Sequence, residues 1–381
     1  GTKGKTTTTH MIRAILLAAG KKVGMIGTTG TVIGDVVTPT LNTTPESYEL
    51  HQAFAQMVEA GCEYAVMEVS SQGIKMHRTD GLYFNYAIFT NISPDHIGPG
   101  EHADFEEYLY YKTRLLNMCG IGLVNKDDKH APQIIKAANC ELYTYSEESK
   151  EADFVASDIR YVSQPDFVGT EFHISGKYDM EVRLGIPGLF NVVNALAAVS
   201  VCSFLGLDQA RISHALENIR VNGRMEIVYT SERCTVLVDY AHNAVSMESL
   251  LSTLRDYKPK RLVCVFGCGG NRSKDRRYSM GEIGGKMADL SIITADNSRY
   301  EKVEDIIADI RGSIEKTGGK FIEIPDRREA IRYSILHAQP GDMVAVIGKG
   351  HEDYQEINGV RHHFLDREVI EETVKELGEK A

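Results

Sequence analysis

From residue 5 onward the apolar residues fall into two alternating textures. Over 5–20 and 46–60 they recur every three to four positions with polar residues between, which predicts amphipathic helices. "KVGMIG" (22–27), "YAVMEVS" (64–70), "YAIFTNIS" (86–93) and "GLVN" (122–125) are short apolar runs, which predict buried strands, with a further helix over 104–118. This rhythm defines an α/β fold with a mostly parallel sheet. Residues 153–184 change character. "FVGTEFHIS" and "DMEVRLG" alternate and predict a small antiparallel appendage of the first domain, followed by the helical "PGLFNVVNALAAVSV". The texture breaks at "RVNGRMEIV", and a second, Rossmann-like α/β series follows: "TVLVDYA", "RLVCVFG", "LSIITADN" and "MVAVIGKG", separated by helices. The boundary is therefore placed between 221 and 222, giving domains 1–221 and 222–381.

Composition narrows the partners. The chain has 381 residues, enough to bury a core in two or three domains, and a net charge of -11. No cluster of Lys and Arg is dense enough to track a phosphate backbone, so nucleic acid is not an expected partner. The seven cysteines are odd in number and never form C-x-x-C, which argues against a disulfide framework or zinc ribbon and for a reducing cytoplasm. "NALAAVSVCSFLGL" (194–207) is too short to span a bilayer, so a soluble cytoplasmic monomer is expected.

The chemistry starts at residue 1. "GTKGKTT" reads as the second half of a Walker A loop: the backbone N–H groups of Gly1, Thr2, Lys3, Gly4, Lys5, Thr6 and Thr7, with the helix N-terminus, cradle phosphates. Lys5 neutralises them, and the Thr6 hydroxyl suits Mg²⁺. The usual motif has another Gly five residues before Gly4, so the sequence is expected to start inside the motif, after the strand from which such loops hang. Further polar groups stand beyond expected strand ends, where α/β sheets place their ligands. Glu68 follows one strand and offers a second acidic contact to Mg²⁺; Asp95 and His96 follow another; Lys112 lies on the next helix; Asp239, His242 and Asn243 follow a strand of the second domain. Singly, Glu68 and His96 also read as polar rim groups and Lys112 as a solvated helix lysine.

Together, GTKGKT, LNTTPES, EVSSQG, TNISPDH, YYKTRLL, PGLFNVVNALAA, GRME, VDYAHNA, FGCGGNR, DNSR and GKGHEDYQ resemble the Mur ligases, and most closely the branch that makes the UDP-N-acetylmuramoyl tripeptide. The resemblance implies an ATP-dependent amide ligase. ATP phosphorylates the free carboxylate of UDP-MurNAc-L-Ala-D-Glu, and the amine of a third amino acid attacks the acyl phosphate. It implies one Mg²⁺ between Thr6 and Glu68, and a second held by His96 and by Lys112 as a carbamate, so that the lysine acts as an acid ligand. Asn191 would touch adenine; Arg224, Asp239 and His242 would reach phosphate and ribose, ATP bridging the domains. Thr43, Thr44, Ser70 and Arg78 match positions that hold the UDP-muramoyl dipeptide. Arg272, Asp296, Asn297, Arg299, Gly348 and Glu352 match the pocket for the incoming amino acid. Lys5, His96 and Lys112 carry the catalytic roles. The family also has an N-terminal UDP-gripping domain of roughly a hundred residues, which this sequence is expected to lack.

Two departures bear on specificity. Members that add meso-diaminopimelate carry D-N-P-R, whose Arg pairs with a distal carboxylate absent from L-lysine; here "DNSR" keeps Arg299 and loses the stiffening Pro, which favours meso-diaminopimelate over L-lysine. The spacer "GPGEHADFEEY" after His96 differs from that of many relatives. The competing expectations are a sister ligase of the folylpolyglutamate or cyanophycin synthetase type, against which "LNTTPES" and "GKGHEDYQ" speak, and a catalytically silent nucleotide-binding fragment.

Overall fold

The structure, a computed structural model, describes residues 1–378. It divides into two compact units: Gly1–Arg160 with Glu171–Leu184 and Leu189–Ile219, and Tyr161–Thr170 with Gly185–Gly188 and the chain from Arg220 onward.

The first unit opens with α1 (Lys5–Ala18) and a four-stranded sheet of β1 (Val23–Gly27), β2 (Gly30–Ile33), β3 (Val36–Thr38) and β4 (Tyr64–Met67), in the order β3-β2-β1-β4. The hairpin strands β2 and β3 are antiparallel, while β1 and β4 are parallel, with Val23 opposite Tyr64. Between them runs α2 (Ser47–Glu59), started by a capping box in which Glu46 and Glu49 satisfy each other's backbone donors. The strand expected over 64–70 ends at Met67, so Glu68 and Ser70 stand in the loop beyond it, before α3 (Ser71–Lys75).

A second sheet holds β5 (Phe84–Phe89), β6 (Cys119–Asn125), β7 (Glu141–Ser146), β8 (Phe154–Gln164), β9 (Phe167–Gly176) and β10 (Met180–Leu184), in the order β10-β9-β8-β7-β6-β5. Its first four strands are parallel neighbours. The stretch expected to form a small antiparallel appendage of the first domain joins the main sheet, because β8 pairs with β7 through Phe154 and Val155. The helix expected over 104–118 is α4 (Phe105–Arg114), capped by Asp104 and finished by a 3₁₀ turn over Leu115–Asn117. Helices α5 (Ala131–Ala137), α6 (Leu189–Phe204) and α7 (Gln209–Glu217) complete the unit. α6 is apolar nearly all round and correspondingly buried. Edges β4 and β5 border a cavity of about 590 Å³ whose walls include Met67, Phe84, Ile88 and Leu205 together with Gly1 and Lys5.

The second unit is built on one sheet: β11 (Glu226–Thr230), β12 (Cys234–Asp239), β13 (Arg261–Phe266), β14 (Leu290–Ile293), β15 (Phe321–Glu323) and β16 (Asp342–Ile347), ordered β11-β12-β16-β13-β14-β15. All neighbours are parallel except β11 with β12. Helices α8 (Ala244–Asp256), α9 (Lys274–Met287), α10 (Val303–Thr317), α11 (Arg327–Leu336) and α12 (Asp366–Glu376) pack on it, and β17 (Tyr354–Ile357) and β18 (Val360–His363) form a hairpin. Its core is Val236, Val238, Val263, Val265, Ile292, Val344 and Val346, wholly or almost wholly buried; this is why these strands read as continuous apolar runs. Among the described residues no helix is long and apolar enough to cross a membrane.

Candidate functional site

In the first unit, the loop before α1 is shaped by two constraints. Gly4 has φ 85°, and a Cβ there would stand 2.3 Å from Asn194 Oδ1, so only glycine lets the loop close on α6. The loop is also stitched to the end of β5: Thr2 N donates to Asn91 O at 2.8 Å, Lys3 N to Asn91 Oδ1 at 2.8 Å, and Thr90 Oγ1 to Lys3 O at 2.7 Å. Lys5 Nζ folds back onto the carbonyls of Gly1 and Thr2 at 2.9 and 3.2 Å, inside the loop that would receive phosphate. Thr7 is buried in the first turn of α1.

Thr6 and Glu68 are brought together. The Thr6 hydroxyl lies 3.0 Å from both Glu68 oxygens, and Thr28 N donates to Oε1 at 2.9 Å. Glu68 is 2 % exposed, and a Cβ on Gly27 would sit 2.3 Å from its Oε1, so the approach requires glycine. A hydroxyl and a buried carboxylate on neutral donors form a hard-oxygen pair, the donor type Mg²⁺ takes while keeping waters and substrate phosphate oxygens. This fits the ion the fold implies.

His96 and Lys112 meet around Tyr108, a residue that sequence reasoning missed. His96 has φ 52°; its Nδ1 is 2.9 Å from Glu101 Oε1, and its ring centroid is 6.1 Å from that of Tyr108. Asp95 Oδ1 accepts from His96 N at 2.9 Å. The altered spacer closes into a small loop, since His102 N donates to His96 O at 3.0 Å and His102 Nε2 is 2.9 Å from Ser71 Oγ. Lys112 is 7 % exposed, which excludes the solvated-lysine reading. Its Nζ sits 4.4 Å from the Tyr108 ring centroid. Burial, then the charge of Lys5, pushes its ammonium down to about 7, with Asp95 opposing. Such a lysine holds a large fraction of free amine at neutral pH, the form that captures CO₂.

On the other flank, Thr44 is fully buried, donates to Glu68 O at 3.0 Å and accepts from Ser70 N at 2.9 Å. Thr43 Oγ1 is 3.0 Å from Thr28 Oγ1, and Ser70 caps α3 through Gly73 N. Arg78 reaches Thr44 O at 3.2 Å and Glu46 at 2.7 Å. These four residues therefore line up beside Glu68. Asn191 is different: it is 1 % exposed and accepts from Asn194 Nδ2 at 3.2 Å, so its amide is engaged in helix packing. Asn194, one turn further on, also meets Thr8 Oγ1 at 3.4 Å. Its i, i+3 spacing from Asn191 was the available signal.

In the second unit the remaining positions cluster at carboxyl ends of β12, β14 and β16. Asp239 Oδ2 and Oδ1 accept from Met225 N and Ala241 N, both at 2.8 Å, tying the "GRME" turn to β12; burial raises its pKa against these bonds. Arg224 lies 5.0 Å from the Tyr240 ring centroid, and His242 Nδ1 is 2.9 Å from Tyr240 O. Asn243 is the N-cap of α8.

Gly348 N donates to Asp239 O at 3.2 Å, beside the Asp296 carboxylate. Asn297 Nδ2 donates to Glu352 Oε2 at 2.9 Å. Arg299, at φ 51°, joins the β17 hairpin through N to Glu356 O at 2.9 Å, while its Nη1 donates to Gly270 O at 2.8 Å. The "CGGNR" loop is held to it by Glu301, which pairs with buried Arg277 at 2.8 Å and accepts from Asn271 N. Arg272 is exposed at the rim. The structure thus brings Asp296, Asn297, Arg299, Gly348 and Glu352 into one polar cluster. It adds Lys349 and Glu356, which lie within or next to motifs already singled out.

Comparisons with known proteins give the family. The profile of the Mur ligase middle domain matches residues 1–202, and that of the Mur ligase, glutamate ligase domain, matches 223–350. The chain belongs to the Mur ligase family. It is 40 % identical over 382 residues to the UDP-N-acetylmuramoyl-L-alanyl-D-glutamate--2,6-diaminopimelate ligase of Caldanaerobacter subterraneus subsp. tengcongensis, covering 99 % of this chain and 77 % of the relative. It is likewise 40 % identical over 376 residues to ligase 2 of the same name from Clostridium acetobutylicum, covering 98 % and 77 %. A solved structure of a 2,6-diaminopimelate ligase superposes with a TM-score of 0.78 at 33 % identity, over 100 % of this chain and 78 % of that one. A folylpolyglutamate synthase from Thermotoga maritima, at 18 % identity and a TM-score of 0.65, shares the fold.

Proposed function

We propose that this protein is an ATP-dependent amide ligase that adds meso-diaminopimelate to the D-Glu carboxylate of UDP-MurNAc-L-Ala-D-Glu. The observation that carries the reading is the Thr6–Glu68 pair at 3.0 Å beside the Lys5 loop, in a chain about 40 % identical to diaminopimelate ligases. Bound Mg²⁺ would supply charge neutralisation at the transferring phosphoryl group, held by Thr6 and Glu68 at one position and by His96 and carbamylated Lys112 at another. Backbone N–H groups of Gly4 to Thr7 and the Lys5 ammonium hold the phosphates, while those of Thr2 and Lys3 fasten the loop to Asn91. Arg224, Asp239 and His242 serve the nucleotide, and Thr43, Thr44, Ser70 and Arg78 orient the dipeptide.

The substrate carboxylate oxygen bonds to the γ-phosphorus as the bridging P–O bond breaks, and ADP leaves. The free amine then attacks the acyl carbon, phosphate departs with the C–O electron pair, and the amine proton passes to solvent. Positioning is the protein's main contribution, since both reactants of the first step are anions. The pocket of Asp296, Asn297, Arg299, Arg272, Gly348 and Glu352 takes the diamino acid. Dependence on ATP and a nucleotide-linked precursor places the reaction in the cytoplasm.

The test is ATP-dependent phosphate release by the full-length polypeptide with UDP-MurNAc-L-Ala-D-Glu and either meso-diaminopimelate or L-lysine. Release that requires meso-diaminopimelate is expected. Release that requires neither amino acid would remove the ligase reading.

A further inference from the structure

Lys349 is 0 % exposed, yet it belongs to the loop after β16 and not to the apolar core. Its Nζ donates to Asn297 Oδ1 and to Glu352 Oε2, both at 3.2 Å, and lies 5.2 Å from the Tyr354 ring centroid. Asn297 Nδ2 donates to the same Glu352 Oε2 at 2.9 Å, which closes a triangle of three side chains. A second donor, Glu356 N, reaches Asn297 Oδ1 at 2.9 Å. The Asn297 amide therefore has one allowed orientation: reversing it would turn its NH₂ onto an ammonium and a backbone N–H.

The consequence falls on Glu352. Its Oε2 is saturated by two donors, whereas among the described residues Oε1 meets the Tyr240 hydroxyl alone, at 3.4 Å, and the side chain is 20 % exposed. One carboxylate oxygen is thus held by two donors, and the other keeps acceptor capacity in a partly exposed side chain. Burying an ammonium is costly unless it is paired and hydrogen-bonded, and here it is both.

We propose that Lys349 is a positioning residue of the amino-acid pocket: by locking Asn297 and Glu352 together, it aims Glu352 Oε1 at the distal ammonium of a diamino acid. The residue thereby selects substrates whose far end carries an ammonium beside the carboxylate. This rests on the reading of the pocket as the diamino-acid site.

The test is steady-state kinetics of the full-length polypeptide and its Lys349→Met variant, comparing meso-diaminopimelate with L-2-aminopimelate, which lacks only the distal amine. In the variant, KM for meso-diaminopimelate should rise tenfold or more, while KM for L-2-aminopimelate and for ATP stays within about twofold. The preference between the two amino acids then collapses. Equal losses for both, or no loss for either, would overturn the proposal. If Lys349→Met does not fold, Lys349→Gln, which keeps one donor, is measured in its place; failure of both to fold would show a structural role and overturn it too. A wild-type enzyme that turns over with other substrates but with neither of these amino acids would instead remove the pocket assignment on which the proposal rests.

Discussion

Lys112 Nζ stands 4.4 Å from the centroid of the Tyr108 ring, and the hydroxyl of the same tyrosine lies 3.0 Å from Thr2 Oγ1. One fully buried aromatic side chain therefore touches both the loop before α1 and the buried Lys112. The hydroxyl end is replaceable in part, because Thr2 Oγ1 also accepts from Ser93 N at 3.1 Å. Tyr108→Phe should then cost about 1 kcal/mol of stability, the net worth of one hydrogen bond, and weaken ATP binding a few-fold. Removing the ring is a different matter: Tyr108→Ala should cost about 3–5 kcal/mol through the cavity it leaves. Chemical denaturation and ATP titration of the two variants check both figures. Equal effects would mean that the ring contributes nothing beyond its hydroxyl.

The Lys112 ammonium carries a pH signature. Its pKa is about 7 in the folded protein, lowered from 10.5. Between these values the unfolded chain holds a proton that the folded chain has released, so this group makes stability rise with pH across that window. Below about pH 7 the folded state bears the full penalty of a buried ammonium. A carbamate on Lys112 would form from the free amine and CO₂, so its occupancy should grow as pH climbs through neutrality. With ¹³C-bicarbonate, a carbamate carbon signal should appear above pH 7 and vanish in Lys112→Ala. That variant should lose ligase activity and regain part of it with short carboxylic acids, which occupy the vacated position. Wild-type turnover by Lys112→Ala would sink the assignment.

The apolar patterning made the two α/β series legible because strands buried on both faces leave continuous apolar runs, as Val263 to Phe266 and Val344 to Ile347 do. What stayed hidden is long-range. That β8 to β10 continue the main sheet depends on pairing with β7, and a stretch of alternating residues carries no mark of its neighbour. Motif spacing pointed to Glu68 and His96 past strand ends and to Lys112 on the following helix. It could not give Tyr108, which reads as an ordinary helix-face tyrosine until α4 is placed against the P-loop, nor show Lys112 buried. Lys349 lay inside a quoted motif but was passed over, because a lysine between glycines looks solvated.

Arg327 was equally invisible. It is 1 % exposed, and its Nε and Nη2 pair with the two Asp366 oxygens at 2.7 Å. It also donates to Ala295 O at 3.2 Å and Ile347 O at 2.9 Å, the strand ends that lead into "DNSR" and "GKGHE". Arg327→Met leaves the Asp366 carboxylate buried and unpaired and should cost about 3–5 kcal/mol. Pairing it with Asp366→Leu removes the orphaned charge and should recover much of that stability. KM for the diamino acid should stay raised in the double variant, because the carbonyl anchors under the pocket remain lost. Denaturation midpoints and KM together separate the two roles; a double variant with normal KM would confine Arg327 to stability.

The last prediction concerns Arg299, on which the choice of third amino acid turns. The loop around it lacks the Pro expected for diaminopimelate selectivity, yet it is held on both sides. Arg299 N donates to Glu356 O at 2.9 Å, Asn358 N donates to Arg299 O at 2.6 Å, and Glu301 N donates to Ser298 O at 3.0 Å. The stiffness that Pro would provide comes here from the β17 hairpin, so Ser298 does not loosen the loop. The guanidinium is only partly occupied: Nη1 serves Gly270 O, and Nε is 3.4 Å from Glu356 Oε2. At 22 % exposure it keeps N–H groups free to meet a distal carboxylate, which meso-diaminopimelate has and L-lysine lacks. Losing that pairing is worth about 1–3 kcal/mol. Arg299→Ala should therefore raise KM for meso-diaminopimelate about tenfold or more and leave any use of L-lysine little changed. An Arg299→Ala enzyme with unchanged diaminopimelate kinetics, or a wild type that prefers L-lysine, would show that the hairpin holds Arg299 for packing and that specificity is set elsewhere in the pocket.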